Sequence, residues 1–572
     1  PPSLYWEEVA LGYDAWSIAQ TGRDYHNNFM PLVAFESFGD YKPSGYYYVL
    51  SAFMLIFGRS DFVVRLPSVL AGVVIVIATG KLVAWFLGDK KDDGQVKIWT
   101  LVSMAVATVT PSLWHLSRVA FETNLATAFL LSGLVLLLGF CGSVSKKVLK
   151  LNWRFVVSVV LLILSLYTYH ATRVVAPLLG LFVFVGIVAA QRHHLTIFLK
   201  SNLTILVSTG VIAIVLTLPI LMSLGSPELT DRFAGTNIFS DPSHVLASNE
   251  CFEIAGSGAG RFVCHRFFFY GREILTNYVS HFSISYLFLS GDYNPRHSTG
   301  MFGVYYLFDL VFILLGIFWF FKTFSPSSQK AEERHNNLFK IFFVLFWLIV
   351  GIVPASISFA SPHLLRTLNI VPLGIVFIVL GIRYLLSLSH ESLFNLSLRV
   401  QRGKKKSFYF MPLLSLIVVG IYAVQIIFFA FHYFNYYPIR YSSEWQYGYR
   451  QMVGAVVDLQ VEHPNLRVYI DREHGRPSMY YFWYGDIDPR EVQTVSDLET
   501  FDQGEYITFK NISFIAPHPD DEQIVALSPS RWQVMQEDEN SNYILIDEQV
   551  VTNLLNEPVW HVGVLQRHVI AD

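Results

Sequence analysis

Apolar residues in this chain gather into stretches far longer than a strand or an amphipathic helix requires. Ten are membrane-length or nearly so, at about 62–87, 98–116, 121–141, 154–170, 172–190, 201–224, 302–321, 339–360, 364–388 and 408–434. A helix needs about 20 such residues to cross a bilayer, so each stretch predicts a span. Gly45 to Phe57 is apolar but short and predicts a re-entrant or interfacial helix. Beyond residue 434 the pattern changes. Charge rises, and strand-like runs such as Leu466-Arg467-Val468-Tyr469-Ile470 and Tyr543-Ile544-Leu545-Ile546 alternate with helical ones such as Tyr447–Leu459. The expected fold is therefore a mainly α, polytopic membrane domain over 1–434, followed by a small α/β domain over 435–572 on the extracytoplasmic side.

Composition agrees with the pattern. The 572 residues are 53% hydrophobic and only 15% charged, and the mean hydropathy is +0.42, too apolar for an ordinary soluble protein. A net charge of −3, with no basic stripe among aromatics, speaks against nucleic-acid binding. The chain opens on Pro1-Pro2, without Met or a signal peptide. From this we expect a preceding segment, a first membrane helix, that is not part of the sequence.

Lysines and arginines orient the spans. They collect at Lys90, Lys91 and Lys97; Lys146, Lys147 and Lys150; Arg192 and Lys200; Lys322, Lys330, Arg334 and Lys340; and Arg399, Arg402, Lys404, Lys405 and Lys406. These connections alternate with the others and are expected to be cytoplasmic. The opposite face then carries 1–60, 115–121, the turn near 170–173, the loop 225–300, the turn near 361–366 and everything after 435. Every motif with chemical content falls on that face.

Two carboxylates, Glu7 and Glu8, stand side by side in Leu4-Tyr5-Trp6-Glu7-Glu8-Val9. They suit a general base, or an acid pair at the start of an amphipathic helix over 7–20, favoured there by the helix dipole. Gly39-Asp40-Tyr41-Lys42-Pro43 brings a lysine to the expected interface, as a phosphate contact or a snorkelling side chain. Arg65, in Arg65-Leu66-Pro67-Ser68, is an interface anchor or a second phosphate contact. Glu122, in Ser117-Arg118-Val119-Ala120-Phe121-Glu122, is a boundary carboxylate, functional or simply paired with Arg118 at i,i+4. The turn Tyr167-Thr168-Tyr169-His170-Ala171-Thr172-Arg173 and the turn Pro362-His363-Leu364-Leu365-Arg366 each offer His and Arg. A planar guanidinium suits bidentate phosphate contact, which makes Arg173 and Arg366 clamp candidates. Asp292-Tyr293-Asn294-Pro295-Arg296-His297 adds a polar cluster compatible with acceptor or sugar binding. Asp14 and Asp24 read as structural, with Thr21-Gly22 as a helix stop and Arg23 as a local partner. Cys251 and Cys264, in an expected oxidising compartment, form a disulfide or remain two thiols; Cys141 reads as packing.

An acid pair, a Lys-Pro and an Arg-Leu-Pro in that order, ahead of many spans, resemble the polyprenyl-phosphate-sugar-dependent glycosyltransferases of GT-C type. That group includes the protein O-mannosyltransferases and the lipid A aminoarabinose transferases. Gly12-Tyr13-Asp14-Ala15-Trp16 with Thr21-Gly22-Arg23-Asp24 resembles a run of a bacterial subgroup. The resemblance implies a sugar moved from a polyprenyl phosphate to a hydroxyl, probing for a carboxylate base at Glu7 or Glu8, with Glu122 joining it and Lys42 on the donor phosphate. The family pair is typically Asp-Glu and its later acid Asp, so Glu7 and Glu122 each depart by one methylene. Its partners would be the bilayer, the lipid-linked sugar and a hydroxyl-bearing acceptor.

No His-Glu-x-x-His or Cys-x-x-Cys spacing occurs, so no obligatory metal or other cofactor is expected, with a divalent ion left open. Two other readings stand beside the transferase. One is a transporter or flippase for a lipid-linked substrate, whose site would more usually lie at the midplane among broken helices. The other is an oligosaccharyltransferase or ligase of the same architecture. The expected location is the cytoplasmic membrane, with the site on its outer face.

Overall fold

The computed structural model describes residues 2–37, 39–88, 93–141, 148–226, 230, 235–255, 258, 260–325, 331–399, 410–494, 500–501, 505–515, 517, 522–537 and 543–567. Lys90, Lys91, Lys146, Lys147, Lys330, Arg402 and Lys404 to Lys406, used above for orientation, lie outside them. The chain divides into two compact units, Pro1–Pro67 with Phe431–Asp572, and Ser68–Ala430. The N-terminal segment thus shares a unit with the C-terminal residues.

In the first unit, the helix Trp6–Thr21 stops at Gly22, whose φ of 70° is left-handed and therefore suited to glycine. A hairpin follows, Ala34–Ser37 paired antiparallel with Asp40–Pro43, its register setting Phe35 opposite Lys42. The helix Gly45–Phe57 buries Tyr46, Tyr47, Leu50 and Met54 on one side. The C-terminal part of this unit is a six-stranded mixed sheet in the order 508–509, 512–513, 467–470, 523–527, 558–567, 543–552. Arg467–Ile470 runs parallel to both of its neighbours, and the remaining pairs are antiparallel. N-terminal and C-terminal residues are joined by directed contacts. Tyr13 donates to the Ile487 carbonyl at 3.1 Å, and the Trp483 indole donates to Asp61 at 3.0 Å. The Trp6 amide donates to the Gln446 side chain at 2.8 Å.

The second unit is helical. Among the described residues, six helices are long and apolar enough to cross a membrane: Asp61–Leu87, Thr172–Ala190, Arg192–Met222, Glu333–Ser356, Leu364–Leu388 and Leu413–Arg440. The other four predicted spans are shorter. Residues 98–116 divide into Asp93–Val109 and Pro111–Leu116, because Thr110 is extended ahead of the proline. Glu122–Leu138 has 17 residues and Trp153–Leu166 has 14, each bounded by turns. Asp309–Thr323 begins seven residues later than the apolar run, where the Asp309 carboxylate accepts the Tyr306 amide at 3.0 Å. The loop 225–300 is not featureless: it holds the helices Ser243–Ala255, Gly260–Val263 and Arg266–Ser280. Cys251 and Cys264 are joined there in a disulfide, with Cα atoms 5.3 Å apart.

Helix packing in this unit uses small residues, as in membrane proteins generally. A Cβ on Gly316 would lie 1.9 Å from the Phe377 carbonyl oxygen, and one on Gly381 would lie 1.9 Å from that of Phe312. Asp309–Thr323 and Val371–Arg399 therefore touch backbone to backbone. By contrast, the apolar window of Arg192–Met222 is only 11% buried, with Ile197, Leu203, Val207, Val211 and Val215 turned outward. Outward apolar side chains over such a length are what hydrocarbon tolerates and water does not.

Candidate functional site

Glu7 and Glu8 lie in the first turn of Trp6–Thr21, where a carboxylate is favoured by the unpaired amides. Their surroundings differ. Glu8 has a fully buried side chain and takes a two-point contact from Arg65, Nε to Oε1 at 2.8 Å and Nη2 to Oε2 at 2.6 Å. It also accepts the Tyr5 amide at 3.3 Å and so closes a capping box. Glu7 keeps 37% of its side chain exposed, and its Oε2 lies 3.2 Å from Lys42 Nζ. The same oxygen accepts the Tyr5 hydroxyl at 2.9 Å.

Lys42 stands on the second strand of the hairpin, and its side chain is only 5% exposed. The hairpin was not foreseen, and it is what delivers Lys42 to Glu7. Arg65, left open as an anchor or a phosphate contact, has its fork committed to Glu8 and to the Ser3 carbonyl. A cationic and aromatic border comes from residues that the sequence reading did not single out. Arg476 stacks over the Trp6 ring at 4.1 Å, and Arg65 lies 6.0 Å from the Trp445 ring. Tyr480 donates to Gln446 at 2.8 Å. One signal did exist: Arg472-Glu473-His474-Gly475-Arg476 is a charged turn at the C-terminal end of the strand Arg467–Ile470, the kind of connection that carries function.

Asp14 and Asp24 hold the loop beyond this helix. Asp14 is buried and accepts the Tyr25 amide at 3.4 Å, while Asp24 accepts the amide and side chain of Asn28 at 2.7 and 3.0 Å. Burial, reinforced by Asp24, pushes the Asp14 carboxyl well above the usual range. Arg23 donates to the Asn27 carbonyl at 2.8 Å.

In the second unit, Asp292, His297 and His363 come together. His297 Nδ1 is 3.0 Å and His363 Nδ1 is 3.9 Å from Asp292 Oδ2. The Leu364 amide donates to the same oxygen at 2.8 Å. Burial alone would raise the Asp292 carboxyl, but the His297 hydrogen bond and the nearby imidazoles outweigh it and hold it below its ordinary value. Burial, with His297 and Arg366 adding, holds His363 well below the imidazole range, so it is neutral at neutral pH. Arg366 follows one turn later and has Nη1 buried without a hydrogen-bond partner.

Arg173 is differently placed. Its Nε donates to the Leu166 carbonyl at 3.1 Å and its Nη1 meets His170 Nδ1 at 3.2 Å, so both side chains brace the turn that carries them. Glu122 is the first residue of Glu122–Leu138, and Thr123 beside it donates to the Leu365 carbonyl at 2.7 Å. Arg118 lies in the turn before this helix.

Three comparisons bear on the chain as a whole. No family model matches it, and no curated protein matches it. Among solved structures it is similar to ArnT from Cupriavidus metallidurans in the apo state, with 12% identity, coverage of 99% of this chain and 93% of that one, and a TM-score of 0.47. It is similar to the same protein bound to undecaprenyl phosphate, with 12% identity, coverage of 99% and 94%, and a TM-score of 0.48. It is also similar to the oligosaccharyltransferase AglB from Archaeoglobus fulgidus in complex with an inhibitory peptide and a dolichol-phosphate, with 12% identity, coverage of 84% and 60%, and a TM-score of 0.44.

Proposed function

We propose that this chain is a membrane glycosyltransferase that moves a sugar from a polyprenyl-phosphate donor to a hydroxyl of a protein, lipid or glycan. The observation that carries the reading is the pair Glu7–Lys42, a half-exposed carboxylate 3.2 Å from a buried ammonium, beside a second carboxylate that is already committed to Arg65. Sugar transfer to a hydroxyl needs a base for the incoming proton. The departing phosphate needs positive charge and no acid. Glu7 and Lys42 supply these two requirements side by side.

In this reading Lys42 holds Glu7 while the donor is away and turns to the phosphate when it arrives, which releases the carboxylate to act as base. The proton of the acceptor hydroxyl goes to Glu7, the new glycosidic bond forms at the anomeric carbon, and polyprenyl phosphate leaves with its electron pair. A single displacement of this kind inverts the anomeric centre. Glu8 shapes the site through Arg65, and Arg476 on Trp6 borders it. In the second unit, taken by itself, Arg366, whose Nη1 is buried without a hydrogen bond, is the candidate phosphate contact and Glu122 the candidate carboxylate. The outer face of the cytoplasmic membrane is the proposed location of this chemistry.

The test is direct. Purified protein in lipid is given polyprenyl-phosphate-linked sugars and a panel of hydroxyl acceptors, and free polyprenyl phosphate is measured. Release that depends on acceptor supports the reading. Movement of intact lipid-linked sugar across a vesicle membrane, without release, would replace it with a flippase.

A further inference from the structure

His363 Nδ1 is buried and has no hydrogen-bond partner, yet it faces a fully buried carboxylate and a second imidazole. A buried polar atom left unsatisfied is costly, which asks for an explanation. Asp292 and the two imidazoles supply one. Each of the three residues offers a ligand atom, and these atoms lie within 4.8 Å of one another.

We propose that Asp292, His297 and His363 bind a divalent cation of the zinc class. In a tetrahedral zinc site, bonds of about 2.0–2.2 Å set neighbouring ligand atoms roughly 3.3–3.5 Å apart. The two separations from Asp292 Oδ2, 3.0 and 3.9 Å, bracket that spacing. Two imidazoles and one carboxylate suit zinc over magnesium or calcium, which prefer oxygen ligands. Both imidazoles keep 12% of their side chains exposed while Asp292 keeps none, so an ion has a way in and a dry anchor beneath it.

The outer contacts are also those of a metal centre, where hydrogen bonds orient the ligands. The Leu364 amide fixes one carboxylate oxygen at 2.8 Å, and the Asn294 amide fixes the other at 3.0 Å. The His363 amide donates to His281 Nε2 at 3.1 Å, which holds the backbone of the ligand. A bound ion would tie the segment after Ser285–Leu289 to the turn that carries Arg366. Three protein ligands leave a fourth position for water or another oxygen ligand. The proposal stands apart from the transferase reading and does not need it.

The test uses the full chain in detergent, without a histidine tag, dialysed against metal-free buffer and titrated with Zn²⁺ and Co²⁺. We expect about one equivalent of Zn²⁺ per chain, a rise in melting temperature on binding, and a visible Co²⁺ spectrum of low coordination number. His363→Ala and Asp292→Asn should each weaken binding at least about 100-fold, while His193→Ala should not. His363→Cys, should the alanine variant fail to fold, should add a thiolate-to-cobalt charge-transfer band. No binding by the wild type, or equal binding by the wild type and the folded ligand variants, would overturn the site, as would the absence of that band in folded His363→Cys.

Discussion

Successive residues of an α-helix point about 100° apart, and that rotation separates Glu7 from Glu8. It turns Glu8 into the protein, onto Arg65, and leaves Glu7 half-exposed beside Lys42. Adjacent letters cannot announce this, so the pair was legible as a pair and its division of labour was not. Lys42 was legible as a cation near the acids, but the hairpin that delivers it was hidden in a four-residue strand. Glu8→Gln should act on stability. Breaking a buried ion pair costs about 3–5 kcal/mol, so the variant should melt well below the wild type in the same detergent. An unchanged melting curve would remove Glu8 from its structural role. Arg366 and Arg173 looked equivalent in sequence, each in a His-containing turn. Two of the three guanidinium nitrogens of Arg173 are bonded to its own turn, whereas Arg366 Nη1 is buried without a hydrogen bond. Polyprenyl-phosphate binding should therefore weaken in Arg366→Lys, where a planar fork is lost, and change less in Arg173→Lys. The reverse order, measured in nanodiscs, would exchange their roles.

Elements follow the apolar pattern where it is long and lose it where polar capping intervenes. The stretch 62–87 became the helix Asp61–Leu87, but 98–116 was interrupted by Thr110-Pro111 and 302–321 was shortened by Asp309. Hydropathy averages over such punctuation. It is equally blind to the contact between Asp309–Thr323 and Val371–Arg399, where two glycines face opposing carbonyl oxygens. Gly316→Val and Gly381→Val should force these helices apart, at a cost at or above the usual ~1–3 kcal/mol of overpacking. Each should reduce the yield of monodisperse protein, and wild-type elution and melting would show that the helices separate freely.

At the scale of the molecule, the α/β character of the C-terminal region was readable from alternation, while its union with residues 1–67 in one compact unit was not. Glu505 in that unit gives a pH test. It is buried, and burial pushes its carboxyl up to about 7, against the opposing hydrogen bonds from Ser478 and the charges of Arg476 and Arg472. The folded protein then holds a proton that the unfolded chain releases near its ordinary value. Stability from this group is full below about pH 4.5 and falls as pH rises to about 7, by on the order of 3 kcal/mol. Glu505→Gln should flatten that fall in a pH series of melting curves, and an unchanged slope would show that Glu505 does not cause it. Orientation is tested by single cysteines at Gln533 and His193. Cys141 is buried and Cys251–Cys264 is bonded, so the background is low. An impermeant reagent on intact cells should label Gln533→Cys and spare His193→Cys, and the opposite pattern would invert the topology. The central claim meets its closest test in Glu7→Gln, which keeps size and hydrogen bonding and removes the base. Acceptor-dependent release of polyprenyl phosphate should slow by ~10²–10⁴-fold while donor affinity stays at or above that of the wild type, since Lys42 no longer has to leave a carboxylate. Release at the wild-type rate by folded Glu7→Gln would contradict the account.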